Sequence, residues 1–223
     1  MKRLPTRSSH PLRTALPVAA LFILTPSLSS QTLTTPRLSC EITNTAALTT
    51  LTARPRNSEA AVTFRIDWLS GNDLPSRFQN LPIKNHSLTS THLLGKTTLT
   101  RTILASQTAD AIFIHIRADQ PGPVHFTTRF ISEDPVEIHD RRQLILSGKK
   151  IHAHAWVLPF ESDVSDDGKT ITLAGEGEAL IILNLTADPE TAPVSQTLTR
   201  LGKIHDPAHT PPGPHVIWQA LKP

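Results

Sequence analysis

Two histidines separated by a single residue, His152 and His154, have the clearest metal-ligand chemistry in this sequence. In an extended strand, residues i and i+2 point to the same face, so both imidazoles could approach one Zn²⁺ or Cu²⁺ ion. A stable site needs a third ligand and usually a fourth. His115, His125 and His139 could supply one, but nothing in the sequence places them beside the pair. We therefore expect no metal and no other cofactor, with His152 and His154 as weak candidates only.

Two acids in the sequence Gly-Glu-Gly-Glu, Glu176 and Glu178, could form the carboxylate pair that cleaves glycosidic bonds. The glycines predict a turn, where acids are normally solvated, and a glycosidase acid also needs a pocket that raises its pKa. The sequence has no Gly-x-Ser-x-Gly nucleophile elbow. Its single cysteine, Cys40, lies in a Thr- and Ser-rich lead-in without catalytic context. We predict no catalytic residue.

A second group of side chains, mostly cationic, falls on strand-like segments and could line one side of a sheet. Arg and Trp side chains bind sugar hydroxyls and stack on sugar rings, and they also anchor protein interfaces. A solvated polar face is the simpler interpretation, because such faces are ordinary on antiparallel sheets. The candidate binding residues are Arg101, His115, Arg117, His125 and Arg129, with Trp156 nearby.

The elements that would position these residues are short strands. In AIFIHIRA (111–118) and VHFTTRFI (124–131) alternate residues share a face, which is typical of half-buried strands. Pro121-Gly122 and the Asp167-Gly168 pair predict tight turns, and 97–131 is predicted to be a three-stranded antiparallel meander. Further strands are predicted at 61–68, 87–94, 97–105, 143–148, 152–160, 169–175 and 179–187. The predicted fold is an all-β antiparallel β-sandwich.

The N-terminus predicts export. Residues 1–30 place four basic residues before the apolar run Ala15–Leu24, and small residues follow it. This order is typical of a secretory signal peptide, here of bacterial type, so we expect a secreted or periplasmic protein. The apolar run is too short to span a bilayer, and we expect no transmembrane segment in the mature chain.

Charge and cysteine content limit the classes of partner. Without residues 1–30 the chain keeps 18 of its 22 basic residues against 19 acidic ones. Its overall pI of about 9.3 therefore reflects the N-terminus and does not favour a nucleic-acid partner. One cysteine cannot form an internal disulfide.

We divide the chain after residue 30 into an extended lead-in or edge strand (31–60), a β-sandwich domain (61–188) and a Pro-rich irregular tail (189–223).

Two segments of the predicted sheet resemble a known family. LTRTILASQTADAIFIHIRADQPGPVHFTTRF (99–130) is similar to the N-terminal β-domain of glycoside hydrolase family 95, the α-L-fucosidase and α-L-galactosidase family. The matching features are a strand over Arg101–Ser106, a second strand that ends in Ile116–Asp119, and the Pro121-Gly122 turn. DDGKTITLAGEGEALIILNLTAD (166–188) resembles the hairpin and apolar strand that close that domain.

The resemblance implies a supersandwich-like domain with a structural or carbohydrate-contacting role. The family's catalytic residues lie in an (α/α)6 barrel after the β-domain, and we expect no such barrel in this chain. No catalytic residue carries over, so enzyme activity stays open and none is expected from the chain alone. The implied partners are a catalytic barrel or carbohydrate. The alternatives are a stand-alone carbohydrate-binding or adhesion module of the bacterial envelope and, more weakly, a metal-binding envelope protein built on His152 and His154.

Overall fold

The computed structural model describes residues 30–68, 77–94, 96–107, 109–120, 123–187 and 218–219. Residues 1–29 of the predicted signal peptide, the Pro121-Gly122 turn and nearly all of the Pro-rich tail lie outside these residues. No helix in the described part of the chain is long and apolar enough to cross a membrane. The described strands are β1 (Ser30–Thr34), β2 (Leu38–Asn44), β3 (Leu48–Pro55), β4 (Val62–Trp68), β5 (Arg77–Asn80), β6 (Ser87–Leu94), β7 (Thr97–Ser106), β8 (Ala111–Ala118), β9 (Pro123–Ile131), β10 (Val136–His139), β11 (Gln143–Ser147), β12 (His152–Asp166) and β13 (Ile171–Thr186).

The strands form one antiparallel sheet that curls into two layers, and β13 belongs to both. The sheet order is β1-β2-β3-β4-β9-β13-β8-β7-β6-β5, and β12, β11 and β10 continue from the opposite edge of β13. The first half of β13 pairs with β9, and its second half pairs with β8. Strands β1 to β4 with β9 therefore make layer one, and β5 to β8, with β10, β11 and the first half of β12, make layer two. The predicted all-β antiparallel sandwich is confirmed.

The Gly-Glu-Gly-Glu segment lies inside β13, which corrects the prediction of a turn between two strands. Gly177 has a φ of +90°, in the left-handed region that favours glycine. A Cβ on Gly175 would collide with Ser162 of β12. The pairing register of β12 with β13 shifts between Phe160 and Ser162, as in a β-bulge. Glycines at a bulge and at a close backbone approach therefore gave a false turn signal.

The three-stranded meander predicted over 97–131 is wrong at its second connection. β7 pairs with β8 as expected. β8 and β9, however, both pair with β13 and follow one another along the same edge of it. A strand of 16 residues is long enough to take both partners, whereas local hairpin rules consider only neighbours in the sequence.

Residues 30–55 contribute three strands, where the sequence suggested an extended lead-in or one edge strand. Alternate residues of these strands, including Cys40, Ile42 and Leu51, are fully buried between the layers. β3 pairs with β4, so this segment belongs to the same sheet as the strands that follow. Its Thr and Ser residues at intervening positions made the apolar period of two hard to recognise.

The burial pattern of the central strands differs between the two layers: β9 is buried on one face, and β8 is buried on both faces. In β9, alternation between buried and more accessible residues runs from Val124 to Ile131, as predicted. In β8, Arg117 is the one exposed residue, and both faces of the strand are otherwise buried. The strand predicted for 111–118 is confirmed, but the prediction that only one of its faces is buried is wrong. The hairpin between β12 and β13 is confirmed, with Gly168 at a φ of +83°.

Candidate functional site

The structure distributes the six predicted binding residues over three surfaces. Arg101 pairs with Ile116, whose side chain lies in the core between the layers, so Arg101 also points inward. The expectation that it shares one face with the others is wrong. The remaining five split between two outer faces: His115, Arg117 and Trp156 lie on that of layer two, and His125 and Arg129 lie on that of layer one.

The outer face of layer two is apolar and buried, and we call it the outer platform. Cross-strand pairing places its central residues in one row, from Leu104 through Phe113 and Ile182 to Trp156. None of these four is more than 4% exposed. Directly paired residues of adjacent strands point to the same side of the sheet, so this row forms a continuous surface. The outer platform consists of Leu104, Phe113, His115, Trp156, Leu180 and Ile182.

A tryptophan from the C-terminal part of the chain packs on the outer platform. Trp218 stacks on His115, with ring centroids 5.1 Å apart and planes at 12°. It also meets Phe113 edge-on, at a centroid distance of 6.3 Å. Trp218 is itself 5% exposed. Sequence analysis assigned this residue to an irregular tail, and no local pattern marks its contact, because the partners lie about a hundred residues earlier.

A charged rim borders the outer platform. Glu178 Oε1 lies 3.5 Å from Arg117 Nε and 3.6 Å from His115 Nε2. Glu178 therefore sits in a strand beside a cation, and its expected place in a solvated turn is wrong. Phe160, the next residue in the same cross-strand row, is 37% exposed. The rim thus presents an aromatic side chain beside an Arg–Glu pair.

The two histidines of the suggested metal pair lie on β12, next to the outer platform. The rings of His154 and Trp156 are 5.5 Å apart. Burial is the largest cause that lowers the pKa of His154, and the nearby His152 and His139 lower it further. The lowered pKa favours a neutral imidazole. Among the described residues, no group of three or more His, Cys, Asp or Glu side chains is placed to hold a metal ion.

The outer face of layer one is polar and partly accessible. His125 is exposed. Arg65 forms a two-point hydrogen bond to Asp67, and Arg129 Nη2 lies 3.9 Å from the same carboxylate. Accessible ion pairs of this kind contribute little to stability. This surface agrees with the solvated polar face that the sequence analysis gave as the simpler interpretation.

Arg101 belongs to a hydrogen-bonded cluster between the layers, which we call the interlayer lock. Its Nη1 donates to Asn44 Oδ1 and Thr49 Oγ1, each at 3.1 Å. Its Nη2 donates to the backbone oxygen of Thr45 at 3.0 Å and lies 2.7 Å from His92 Nδ1. The interlayer lock consists of Asn44, Thr45 and Thr49 of layer one with His92 and Arg101 of layer two.

Aromatic rings flank the guanidinium of the interlayer lock. The Arg101 guanidinium carbon lies 4.3 Å from the ring centroid of Trp68 and 5.3 Å from that of Phe78. Trp68 Nε1 in turn donates to Thr49. Burial lowers the pKa of Arg101 to about 9, so the side chain remains charged at neutral pH. The alternating sequence pattern around position 101 could not reveal that Arg101 points into the core, because Arg side chains rarely face a protein core.

Cys40 is a buried core residue of β2 and not part of a lead-in. Burial, and to a smaller extent Glu41, raises the pKa of its thiol to about 12. The thiolate is the reactive form of cysteine, so this side chain is chemically inert in the folded protein.

No family model and no curated protein matches this chain. Among solved structures, a bacterial glucoamylase complexed with acarbose is 8% identical, with a TM-score of 0.49, over 76% of this chain and 33% of that one. A glycoside hydrolase family 81 protein from Clostridium thermocellum is 11% identical, with a TM-score of 0.42, over 72% and 23%. A putative kojibiose phosphorylase from the human microbiome is 10% identical, with a TM-score of 0.43, over 85% and 34%.

The chain spans about a third of the first and third of these proteins and less of the second. At these identities and TM-scores the likenesses carry no argument about what the chain binds or catalyses.

Proposed function

We propose that this chain is an exported, non-catalytic β-sandwich domain of a carbohydrate-active assembly, similar to the N-terminal domain of glycoside hydrolase family 95. Its role is to support a helical catalytic barrel. The observation that carries this proposal is the outer platform, a second apolar core on layer two that the chain itself covers, in part with Trp218. A platform buried in this way makes layer two a rigid support, and its exposed rim at Phe160 is the apolar surface left to contact a barrel.

The acids of the Gly-Glu-Gly-Glu segment support the non-catalytic part of the proposal. Glu178 Oε1 is held beside Arg117 Nε at 3.5 Å and His115 Nε2 at 3.6 Å. Glu176 is exposed to solvent, whereas the acid of a glycosidase lies in an enclosing apolar pocket. At Glu176 the segment therefore lacks the enclosure that this chemistry needs.

The direct test is hydrolysis of nitrophenyl α-L-fucoside and nitrophenyl α-L-galactoside by residues 31–223. We expect no turnover by the chain alone. When the product of an adjacent gene that encodes an (α/α)6 barrel is added, we expect turnover and co-elution of the two proteins. Turnover by the chain alone, lost in Glu178→Gln, would refute the non-catalytic role. Failure of the barrel to co-elute would refute the supporting role.

The charged rim favours a second candidate function, glycan binding. Arg117 has 59% of its side chain accessible, and Phe160 is exposed in the same cross-strand row. Aromatic rings stack on the apolar faces of sugars while charged groups bind hydroxyls. Calorimetric titration with fucosylated and galactosylated oligosaccharides tests this function. Loss of saturable binding in Arg117→Ala and Phe160→Ala, but not in the layer-one control Arg129→Ala, would support it, and no heat with any glycan would exclude it.

Export is tested separately from binding. Expression of the full chain with its N-terminus in a bacterium, followed by fractionation and N-terminal sequencing, is expected to give a periplasmic or secreted protein that begins near residue 31. An uncleaved cytoplasmic product would contradict the signal peptide.

A further inference from the structure

The interlayer lock joins the two layers through one cation and neutral acceptors. The partners of the Arg101 guanidinium are an amide oxygen, a hydroxyl, a backbone carbonyl and an imidazole nitrogen. Arg101 is 1% exposed and His92 is 3% exposed. A buried cation usually has a carboxylate partner, and among the described residues none is within ion-pair distance of Arg101.

The geometry fixes the role of His92 in the interlayer lock. A guanidinium carries donors and no acceptor, so the contact of 2.7 Å between Arg101 Nη2 and His92 Nδ1 requires a lone pair on Nδ1. The imidazole must therefore be neutral in the closed structure. A proton on Nδ1 would remove the acceptor and place a second positive charge against the guanidinium.

No facing group compensates for that second charge in the described structure. The residues that face His92 and Arg101 are Asn44 and Thr49 from β2 and β3, Trp68 from β4 and Phe78 from β5. The amide, hydroxyl and aromatic side chains of these residues carry no charge. Burial and then Arg101 lower the pKa of His92 to about 4.

We propose that the interlayer lock is an acid-sensitive switch: protonation of His92 breaks its contact with Arg101 and separates the β2–β3 hairpin from β6 and β7. The opening is local, because the outer platform lies on the opposite face of layer two from His92, and β11, β12 and β13 are separated from β6 in the sheet by β7 and β8. Opening exposes Trp68, which packs against both Arg101 and His92.

Hydrogen exchange measured by mass spectrometry tests the switch in the full chain. We expect residues 38–55 and 87–94 to lose at least about tenfold in protection between about pH 7 and pH 4.5, after correction for intrinsic rates. Residues 171–183, which contain no histidine, should keep their protection. His92→Asn preserves an acceptor oxygen near the position of Nδ1 but cannot titrate, so it should abolish the acid-induced loss.

His154→Asn is the matched control, because His154 is a half-buried histidine that also has a lowered pKa but lies outside the interlayer lock. It should respond to acid as the wild type does. An unchanged acid response in His92→Asn would overturn the proposal. If His92→Asn does not fold at neutral pH, the wild-type profile decides: selective loss at 38–55 and 87–94 supports the switch, whereas simultaneous loss in all strands overturns it.

Discussion

The outer faces of the two layers have the same strand geometry and opposite surface chemistry. Ile182 on the outer face of layer two is fully buried, whereas Ile131 on the outer face of layer one is 47% exposed. The face of layer two carries Phe113, Trp156 and Trp218, and the face of layer one carries the Arg65–Asp67–Arg129 group. The difference shows that position on the outside of a sandwich does not make a face solvated. Layer two is built for packing, and layer one faces water.

The largest expected effect comes from one substitution made on both faces. Ile182→Asp places a carboxylate in the outer platform, and we expect it to lower the free energy of unfolding by about 4 kcal/mol or to prevent folding. Ile131→Asp should change it by less than about 1 kcal/mol, because an exposed carboxylate stays hydrated. Urea unfolding followed by circular dichroism measures both. Equal effects would show that the two faces do not differ.

Removal of Trp218 tests whether the C-terminal segment stabilises the outer platform. Trp218→Ala removes the stacking on His115 and the edge contact with Phe113, so we expect a loss of about 3 kcal/mol and increased binding of an apolar dye. Phe160→Ala, at the exposed rim, should cost less than about 1 kcal/mol. An unchanged urea midpoint for Trp218→Ala would contradict the contact.

Acid should weaken the interior more than either outer face. The pKa of His92 falls from its ordinary 6.5 to about 4 in the folded protein, so the unfolded chain binds the proton first. The stabilisation linked to neutral His92 is complete above about pH 6.5 and decreases as the pH falls towards 4, by about 3 kcal/mol. Urea midpoints between pH 7 and 4 measure this loss. The control His125→Asn, on the exposed face of layer one, should show the same change of urea midpoint with pH as the wild type. If His92→Asn also shows that change, the acid-dependent loss of stability does not come from His92.

The smallest effects are expected at the ion pairs of the two faces. Arg117→Ala and Arg129→Ala each remove an accessible cation beside a carboxylate, and we expect less than about 1 kcal/mol from either. The midpoints should converge with wild type as salt is raised. If Arg117→Ala alone lowered the free energy of unfolding by several kcal/mol, the ion pair between Arg117 and Glu178 would contribute far more than an accessible ion pair should.

Local patterns predicted most strands but not the way in which they combine. Alternation located β4, β6, β7, β8 and β9 within a few residues, and the Asp-Gly pair located the β12–β13 hairpin. Local patterns failed at Gly175 and Gly177, where a bulge in a long strand has the same residues as a turn. They also could not reveal that β8 and β9 share β13, since these pairings join segments about forty to seventy residues apart.

The candidate site shows the same limit. His115, Arg117 and Trp156 were correctly placed on strands, but the sequence could not distinguish an outer platform from a solvated face. That distinction depends on Trp218, which is remote in sequence. Arg101 was assigned to the polar face because an inward-facing Arg is rare. Its burial depends on acceptors from β2 and β3, and the strand pattern of that segment is weak.

Hydroxyl-radical footprinting of the native protein tests the central claim most directly, because it reports the accessibility of individual side chains on both faces. Our account predicts slow modification of Phe113 and Trp156 in the outer platform, and fast modification of Ile131 on layer one and Phe160 at the rim. Modification of Phe113 and Trp156 as fast as that of Ile131 would contradict the claim that layer two is a packing surface.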